Sequence, residues 1–415
     1  MALKPTLQNF KNEPKSGNDQ RQPWLTVGLL FACGCLNYAD RTAISAVFPL
    51  LRTEFGMSDV ELAGLGSFFL WSYALCSPLA GLAADRFRRS RLIVGSLFAW
   101  SLVTMATGLA ASVNQLFLAR MLLGVAECLY LPAAVAFIAD HHSQQTRGRA
   151  LGLHLCGLNL GLVAGGGLAG YLGDHAGWRQ SFFILGAAGM ALAVVCSFLL
   201  NDVQTTPKAK PLESVAQLRK LLSKPLYLLL LIEAMLVAVG TWMFFNWMPL
   251  YFQETFHLSL AVAGLSGTVP LQISAVIGLL IGSVLSDVAA KKHDANRLLL
   301  MAVFYLLSAP LLLVFVTNSS MAIVTVAVVL FAFFRAVGAA NDSPVLCDMQ
   351  APEDRSTAQG LFNMLNALAG GLGIFAAGYL KKDFGLGGVF AGVTGIMMMA
   401  ALVAFAASVV RRRTA

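Results

Sequence analysis

Charged residues are scarce in this chain. Only 12% of its 415 residues are Asp, Glu, Lys or Arg, whereas 57% are hydrophobic and the mean hydropathy is +0.71. A soluble domain carries roughly a quarter of its residues as charges, so this composition excludes an ordinary soluble globular protein. The apolar residues come in blocks about 20 residues long or longer, which is the length that crosses a bilayer as a helix. We therefore expect an all-α, multi-pass membrane protein.

Motifs of enzymes and metal proteins are missing as well. The seven cysteines form no CxxC pair, which excludes a zinc site or a disulfide framework of the usual spacing. We find no nucleophile, cofactor or phosphate-loop motif, so we expect no enzyme activity, no cofactor and no metal. The net charge of +8 sits at the ends of apolar blocks, which indicates membrane topology and not a nucleic-acid partner. The first apolar block is too long for a cleaved signal peptide.

Twelve membrane spans are predicted from the apolar blocks. They lie near residues 25–50, 62–84, 92–112, 115–140, 150–173, 180–200, 226–252, 261–287, 297–317, 320–348, 357–381 and 386–410. A polar linker, 201–225, separates six spans from six. We expect two six-helix bundles, residues 1–200 and 226–415, around a central cavity lined by spans 1, 4, 5, 7, 8, 10 and 11.

The positions of Lys and Arg predict the orientation. Most of the 29 basic residues lie in the two tails and in the loops that follow even-numbered spans. The opposite loops hold only Arg52, Arg179, Lys381 and Lys382. Because basic loops stay in the cytoplasm, both termini and the linker are expected there, with the protein a monomer in the cell inner membrane.

The two halves of the chain resemble each other. Arg120 precedes Glu127 in span 4 by the same seven residues that separate Arg335 from Asp342 in span 10. A polar motif that contains Asp85 lies at the end of span 2, and a shorter version that contains Asp287 lies at the end of span 8. A repeat of two six-helix halves is a known transporter plan, with the substrate site at the midplane between them.

Seven ionisable residues are predicted inside spans. They are Asp40, Arg41, Arg120, Glu127, Glu233, Arg335 and Asp342. Each costs about 2.5–3.5 kcal/mol or more at a helix centre unless it is paired or faces water, so the default interpretation is an ion or substrate pathway. The alternative is ion pairs that only hold helices together, and it is strongest for Glu233. Arg120 and Glu127 lie about two helical turns apart, so each needs another partner, and Asp40 and Arg41 are the natural candidates.

The loop between spans 2 and 3 resembles a superfamily signature. Gly81-Leu-Ala-Ala-Asp85-Arg86-Phe-Arg88-Arg89 is similar to the loop 2–3 motif of the major facilitator superfamily, with Arg88 where a Gly is usual. A weaker copy at spans 8 and 9 supports the resemblance, which covers essentially the whole chain. It implies secondary transport, with a conformational switch at Gly81, Asp85, Arg86, Arg89 and Asp287.

Within that superfamily, two motifs resemble the anion:cation symporters, which include galactonate and sialic acid transporters. They are Asn37-Tyr38-Ala39-Asp40-Arg41 in span 1 and Arg120-x6-Glu127 in span 4; Trp247-Met-Pro249-Leu-Tyr251 and Asn363 fit as well. The resemblance implies proton-coupled transport of a small organic anion, such as a sugar acid. Asp40 and Glu127 would then carry protons. The implied substrate-binding residues are Arg41, Arg120, Tyr38, Tyr73, Asn159, Arg335 and Asn363.

The N-terminal half is also similar to the spinster family of lipid transporters. Trp100-Ser101-Leu-Val-Thr104, Leu118-Ala119-Arg120 and Gly177-Trp178-Arg179 carry this similarity. A lysophospholipid carrier therefore stays open, as does a non-transporting receptor or scaffold. Drug antiporters fit less well, because the glycines of span 5 lack the accompanying proline. These glycines are expected to allow close helix packing. They are Gly157, Gly161, Gly165, Gly166, Gly167 and Gly170.

Overall fold

The computed structural model describes residues 17–143, 145–202, 215–317, 319–351 and 354–414, and in these ranges every regular element is a helix. Eight α-helices precede residue 200, and we call them the N-terminal group. They are α1 (Gly17–Ala46), α2 (Phe48–Phe55), α3 (Asp59–Arg86), α4 (Arg89–Gly108), α5 (Val113–Glu127), α6 (Tyr130–His141), α7 (Arg147–Ala176) and α8 (Trp178–Leu199).

The second half of the chain is helical as well. A short helix that the sequence did not predict, α9 (Val215–Leu222), lies in the connection. The C-terminal group then comprises α10 (Pro225–Phe256), α11 (Leu260–Ala290), α12 (Ala295–Ser308), α13 (Met321–Ala339), α14 (Asp342–Met349) and α15 (Arg355–Thr414). A 3-10 helix, Ala309–Val316, continues α12.

Ten helical stretches in the described ranges are long and apolar enough to cross a membrane. The last of them, Thr357–Arg413, contains Gly385 at φ 65°, a left-handed conformation that glycine adopts without strain. Large apolar side chains such as Phe198 and Leu109 stay on the outside, as expected for lipid contact. The predicted class, a multi-pass helical membrane protein, is therefore confirmed.

Two short interruptions occur at equivalent places in the two groups. The first separates α5 from α6 directly after Glu127, and the second separates α13 from α14 directly before Asp342. Both acidic residues therefore lie where the regular helix ladder is broken. Each acid of the Arg-x6-acid repeat thus lies beside a helix interruption, although on opposite sides of it.

The glycines of α7 face two neighbouring helices. Gly157, Gly161 and Gly165 lie against the main-chain oxygens of Phe31, Cys35 and Ala39 on α1. Gly166, Gly167 and Gly170 lie against Gly264, Leu265 and Leu260 on α11. The predicted role of this run in close helix packing is confirmed, because a side chain at most of these positions would collide with the neighbouring helix.

Four charged side chains join the two groups at the end of the bundle distant from the chain termini. We call Arg52, Asp59, Glu254 and Lys381 the charged quartet. Lys381 Nζ lies 3.0 Å from Asp59 Oδ1 and 2.7 Å from Glu254 Oε1. Arg52 donates to Glu254 at 3.0 Å and also pairs with Asp59. This end of the bundle is therefore closed in the structure.

Candidate functional site

A small cavity lies between the two groups. The N-terminal group contributes Arg41, Phe69 and Arg120 to its wall, and the C-terminal group contributes Trp242 and Asn246. Its volume is about 20 Å³, which is room for about one or two water molecules. A molecule as large as a six-carbon acid does not fit in this cavity in the present conformation.

The helices that line the cavity differ in part from the prediction. The α3 helix, which corresponds to predicted span 2, contributes Gly66, Phe69 and Leu70. Predicted spans 8 and 10 do not reach this cavity among the described residues, because α11 packs against α7 and α13 packs behind α11. The contributions of spans 1, 4, 5, 7 and 11 are as expected.

Arg41 is the centre of the site. Its Nε donates to Glu127 Oε2 at 3.0 Å, and its Nη2 donates to Asn37 Oδ1 at 3.2 Å. Its guanidinium carbon lies 4.3 Å from the ring centroid of Tyr38 and 5.0 Å from that of Tyr73. The pairing of Arg41 with Glu127, expected from the sequence, is confirmed, and the two tyrosines hold the guanidinium between aromatic faces.

Arg120 has different partners from those expected. Its Nε donates to the main-chain oxygen of Leu65 at 3.1 Å, and its Nη1 donates to the main-chain oxygen of Asp40 at 3.3 Å. No described carboxylate lies within ion-pair distance of it. The carboxylate of Asp40 is turned toward α4, where Thr104 Oγ1 donates to Oδ2 at 3.1 Å. The guanidinium of Arg120, which lines the cavity, is therefore available to an anionic ligand there.

Around Arg41 and Arg120, two buried carboxylate oxygens lack a hydrogen-bond donor among the described residues. They are Asp40 Oδ1 and Glu127 Oε1. Asp40 is 3% exposed to solvent and Glu127 is 1% exposed. A buried acceptor without a donor loses its hydration with nothing in return, at about 1–3 kcal/mol or more for a charged group. Either a proton or a rearrangement of the arginines satisfies such an oxygen.

Three predicted substrate residues lie away from the cavity wall. Asn159 donates back to Leu155 of its own helix at 2.9 Å, and Asn363 accepts from Gln359 at 3.1 Å on an exposed face. Arg335 belongs to a separate group of side chains in the C-terminal half. The part of Asn159, Asn363 and Arg335 in substrate binding stays a prediction.

The predicted switch residues lie near the loops close to the chain termini. Arg89 pairs with Asp140 and donates to the main-chain oxygen of Ala136 at 3.0 Å, while Asp287 lies 3.5 Å from Arg297. The surroundings of Gly81 and the side chains of Asp85 and Arg86 lie outside the described residues. The switch role of these residues therefore stays a prediction too.

Three site residues were not predicted for binding: Asn37, Thr104 and Asn246. Asn37 and Thr104 belong to segments already singled out by resemblance, and that resemblance gave a usable signal. Asn246 directly precedes the Trp247 motif and reaches the cavity from α10, with its Oδ1 buried and unpartnered among the described residues. Only the packing of the two groups reveals that position.

Comparison with known proteins identifies the family of the chain. Residues 30–374 match the Major Facilitator Superfamily. The chain belongs to this superfamily. It is a transporter and not an enzyme, as the sequence resemblance implied.

Individual relatives in the superfamily differ in cargo. The chain is 25% identical to the probable galactarate/D-glucarate transporter GarP of Escherichia coli K12, over 94% of this chain and 95% of the relative. It is 28% identical to an MFS-type efflux pump of Mycolicibacterium smegmatis, over 88% and 85%. A solved bacterial homolog of the human lysosomal transporter Spinster, inward-facing and unoccupied, superposes with a TM-score of 0.78 over 94% of this chain and 98% of that one, at 23% identity. That likeness shows the fold.

Proposed function

We propose that the chain is a secondary active transporter that moves a small organic anion, a sugar acid or related carboxylate, together with protons. The observation that carries this proposal is the pairing of Arg41 with Glu127 at the cavity wall, beside Arg120, which has no carboxylate partner among the described residues. An arginine in this setting binds a carboxylate through two parallel hydrogen bonds.

The proposal includes a twelve-span arrangement. Ten stretches qualify directly as spans, α1 adds another, and Gly385 divides the last stretch into two. We place both termini and the 201–225 linker in the cytoplasm of an inner-membrane monomer, on the distribution of basic residues. The bundles 1–200 and 226–415 then rock about the central cavity, and the charged quartet closes its periplasmic end.

Charge balance connects the substrate to the proton. With both acids ionised, Arg41 and Arg120 neutralise Asp40 and Glu127. A bound monocarboxylate adds one negative charge to a buried site, and uptake of one proton by Glu127 or Asp40 restores neutrality. When the substrate draws Arg41 away from Glu127, the stranded carboxylate takes up a proton more readily. Proton and anion therefore load together.

Several relatives favour an acidic cargo. Besides the galactarate/D-glucarate transporter, a probable sulfoacetate transporter of Cupriavidus necator is 26% identical over 68% of this chain and 69% of the relative. These cargoes share a terminal anionic group, which suits the two arginines. Tyr38 and Tyr73, which flank Arg41, would then donate or accept hydrogen bonds with the hydroxyls of a sugar acid.

A lipid carrier and an efflux pump are the competing functions. The likeness to the Spinster homolog concerns the fold alone. The two arginines bind an anionic group, and this binding does not depend on an acyl chain in the ligand. The efflux relative has an overall identity similar to that of the sugar-acid relatives, so the direction of movement must be measured.

Reconstituted liposomes test the proposal directly. Purified protein is given labelled galactarate, glucarate, galactonate, sulfoacetate or lysophosphatidylcholine, with an imposed pH gradient of either sign. We expect accumulation of at least one carboxylate or sulfonate when the outside is acidic, abolished by a protonophore. Transport of lysophosphatidylcholine alone, or accumulation driven only by the reversed gradient, would overturn the symport proposal.

A further inference from the structure

A second group of buried ionisable side chains lies in the C-terminal half, away from the cavity. We call Glu233 on α10, Tyr305 on α12, Arg335 on α13 and Asp342 on α14 the C-terminal acid cluster. The Tyr305 hydroxyl faces the Glu233 carboxyl, and both Asp342 and Arg335 lie within electrostatic reach of this pair. The Tyr305 ring also packs against Gly338, which holds α12 close to α13. No step proposed above uses these residues.

The cluster leaves its acidic oxygens without donors. Glu233 is 1% exposed, and neither of its carboxyl oxygens accepts a hydrogen bond from the described residues. Asp342 Oδ1 and the hydroxyl of Tyr305 are likewise buried and unpartnered within the described ranges. An ionised carboxylate in a low-dielectric interior is costly unless it is paired, hydrogen-bonded or neutralised by a proton.

The charges of the cluster do not balance. Two carboxylates face a single arginine, so the cluster carries one net negative charge when both acids are ionised. The equivalent group at the cavity has two acids and two arginines. Because an isolated buried charge costs several kcal/mol, one bound cation is required for neutrality in the C-terminal cluster alone.

We propose that Glu233 and Asp342 share one exchangeable proton, which makes the C-terminal acid cluster a second proton-binding site of the transporter. The proton comes from solution, binds to one carboxylate oxygen and leaves by the same route, so no other reactant is needed. Tyr305 can then donate to the carboxylate that remains ionised. The guanidinium of Arg335 balances the charge of the carboxylate that remains ionised.

A proton suits this site better than a metal ion. The described residues contain no group of three or more His, Cys, Asp or Glu side chains that could hold a metal. The arginine also repels a metal cation, whereas a single proton requires only the two carboxyl groups. Two interacting acids that share one proton are a known consequence of confining like charges.

The neighbouring helices add few other ionisable groups. The groups that face Glu233 are Asp342 and Tyr305. Arg335 interacts in turn with Tyr305. The α11 helix, packed on α10, carries only Asp287 as an ionisable residue, in its last turn, where it pairs with Arg297. The α15 helix carries none between Arg355 and Tyr379. The charge of the cluster is therefore set by its own members.

The cluster lies in the half of the bundle near the chain termini. Glu233 is about 12 Å along α10 from its start at Pro225, and Asp342 begins the short helix that leads back to this end. Arg335 and Asp342 are partly exposed, whereas the charged quartet closes the opposite end. In this conformation the proton exchanges with the solution on the side of the termini.

Infrared difference spectroscopy of the purified protein tests the protonation without reference to any substrate. In an Asp40→Asn/Glu127→Gln background, which removes the two acids proposed to carry protons at the cavity, we expect a protonated-carboxyl C=O band that shifts in heavy water and titrates with pH. Glu233→Gln and Asp342→Asn should each abolish it. Glu254→Gln, on the same helix but in the charged quartet, should leave it unchanged. Monodisperse elution and an unaltered unfolding midpoint verify that each variant is folded.

Three results would overturn the proposal. They are a band that survives both substitutions, a band that does not titrate, and a band that sodium chloride removes while choline chloride does not, since the last would mean that a metal cation is the ligand. The role of this proton in transport rests on the proposed symport. There, Glu233→Gln should lower the measured proton-to-substrate ratio by one, and an unchanged ratio excludes that role. If the wild type carries no anion but keeps the band, the symport fails while the proton site stands.

Discussion

Arg41 and Glu127 form an ion pair at 3.0 Å across α1 and α5, with side-chain exposures of 6% and 0%. Only one edge of the guanidinium is occupied by this carboxylate, through Nε. The other edge reaches Asn37 and the cavity. A substrate carboxylate therefore competes with Glu127 for the same arginine, and this competition can couple the two ligands.

Replacement of Arg41 by lysine should weaken substrate binding while preserving the fold. Lysine keeps the charge but loses the planar pair of donors, so it cannot serve Glu127 and the substrate together. A lost charge-assisted hydrogen bond is worth about 1.5–3 kcal/mol, which corresponds to roughly a 10- to 100-fold higher Kd. Isothermal titration calorimetry with the transported acid measures the change.

Arg179→Lys is the matched control for this prediction. Arg179, in the first turn of α8, pairs with Glu54 on α2 at 2.6 Å. Against the effect of burial, hydrogen bonds from Trp178 and Arg179 lower the pKa of the Glu54 carboxyl, so that pair is formed at neutral pH. The control should bind substrate as the wild type does. Equal affinity in Arg41→Lys and Arg179→Lys would show that Arg41 is structural.

Glu127→Gln should separate exchange from accumulation. Glutamine resembles the protonated acid in shape and still offers an acceptor to Arg41, so substrate should bind and exchange between labelled and unlabelled pools. It cannot release a proton, so a pH gradient should no longer drive accumulation. Asp40→Asn should behave in the same way if the two acids share the task.

Paired liposome measurements, gradient-driven uptake beside counterflow, decide this prediction. Glu54→Gln serves as the control, since it also removes a carboxylate from an arginine pair but lies far from the cavity. Full gradient-driven accumulation in both Glu127→Gln and Asp40→Asn would move the coupling site elsewhere.

Much of the fold was predictable because lipid imposes simple rules. Apolar blocks of the right length must become helices, and the predicted spans fall on observed helical stretches. Predicted spans 4 and 10 are each divided into two helices, however, and predicted spans 11 and 12 both lie in α15. The pairing of Arg41 with Glu127 was also predictable, because a buried charge requires a partner. The unpaired state of Arg120 was not, since it depends on the rotamer that turns Asp40 toward Thr104.

Contacts between distant segments could not be read from the sequence. Arg52 and Lys381 appeared only as rare basic residues in otherwise acidic or neutral loops. Their meeting with Asp59 and Glu254 depends on how the two groups pack. The contribution of α3 to the cavity has the same origin, because no periodic pattern distinguishes a helix beside the cavity from its neighbour.

Gly165→Ala should destabilise the protein. The added Cβ would lie 2.6 Å from Ala39 Cα and still closer to the oxygen of the same residue, so α7 and α1 must separate. Overpacking of this kind costs about 1–3 kcal/mol. Gly152→Ala, on the same helix with nothing within 4 Å of the new Cβ, is the control. Unfolding midpoints in detergent should fall for the first variant only, and an equal midpoint in both contradicts close packing at Gly165.

A reporter fused to the C-terminus tests the orientation. The distribution of basic residues places both termini in the cytoplasm, so a fluorescent protein that matures only there should be active, and periplasmic alkaline phosphatase should be inactive. A fusion after Lys382 should give the opposite pattern. Phosphatase activity at the C-terminus would contradict both the orientation and the twelve-span count.

Lys381→Met should loosen the closed end of the bundle. Methionine keeps most of the side-chain length but removes the charge that binds Asp59 and Glu254 together. These partners are about a quarter to a third exposed, so the loss is closer to a surface pair, at about 1 kcal/mol, than to a buried one. Such a change shifts a two-state equilibrium by about fivefold toward opening at this end.

Spin-label distances across this end measure the shift. Labels at cysteines placed near residues 56 and 257, in a variant without the native cysteines, should show a longer distance in a larger fraction of molecules. Lys382→Met is the matched control, because Lys382 is the next residue along the chain and its side chain is exposed. Since opening at this end admits substrate from that side, the apparent affinity there should rise along with the open fraction. Identical distance distributions in Lys381→Met and Lys382→Met would mean that helix packing, including Gly170 against Leu260, closes the end without help from the charged quartet.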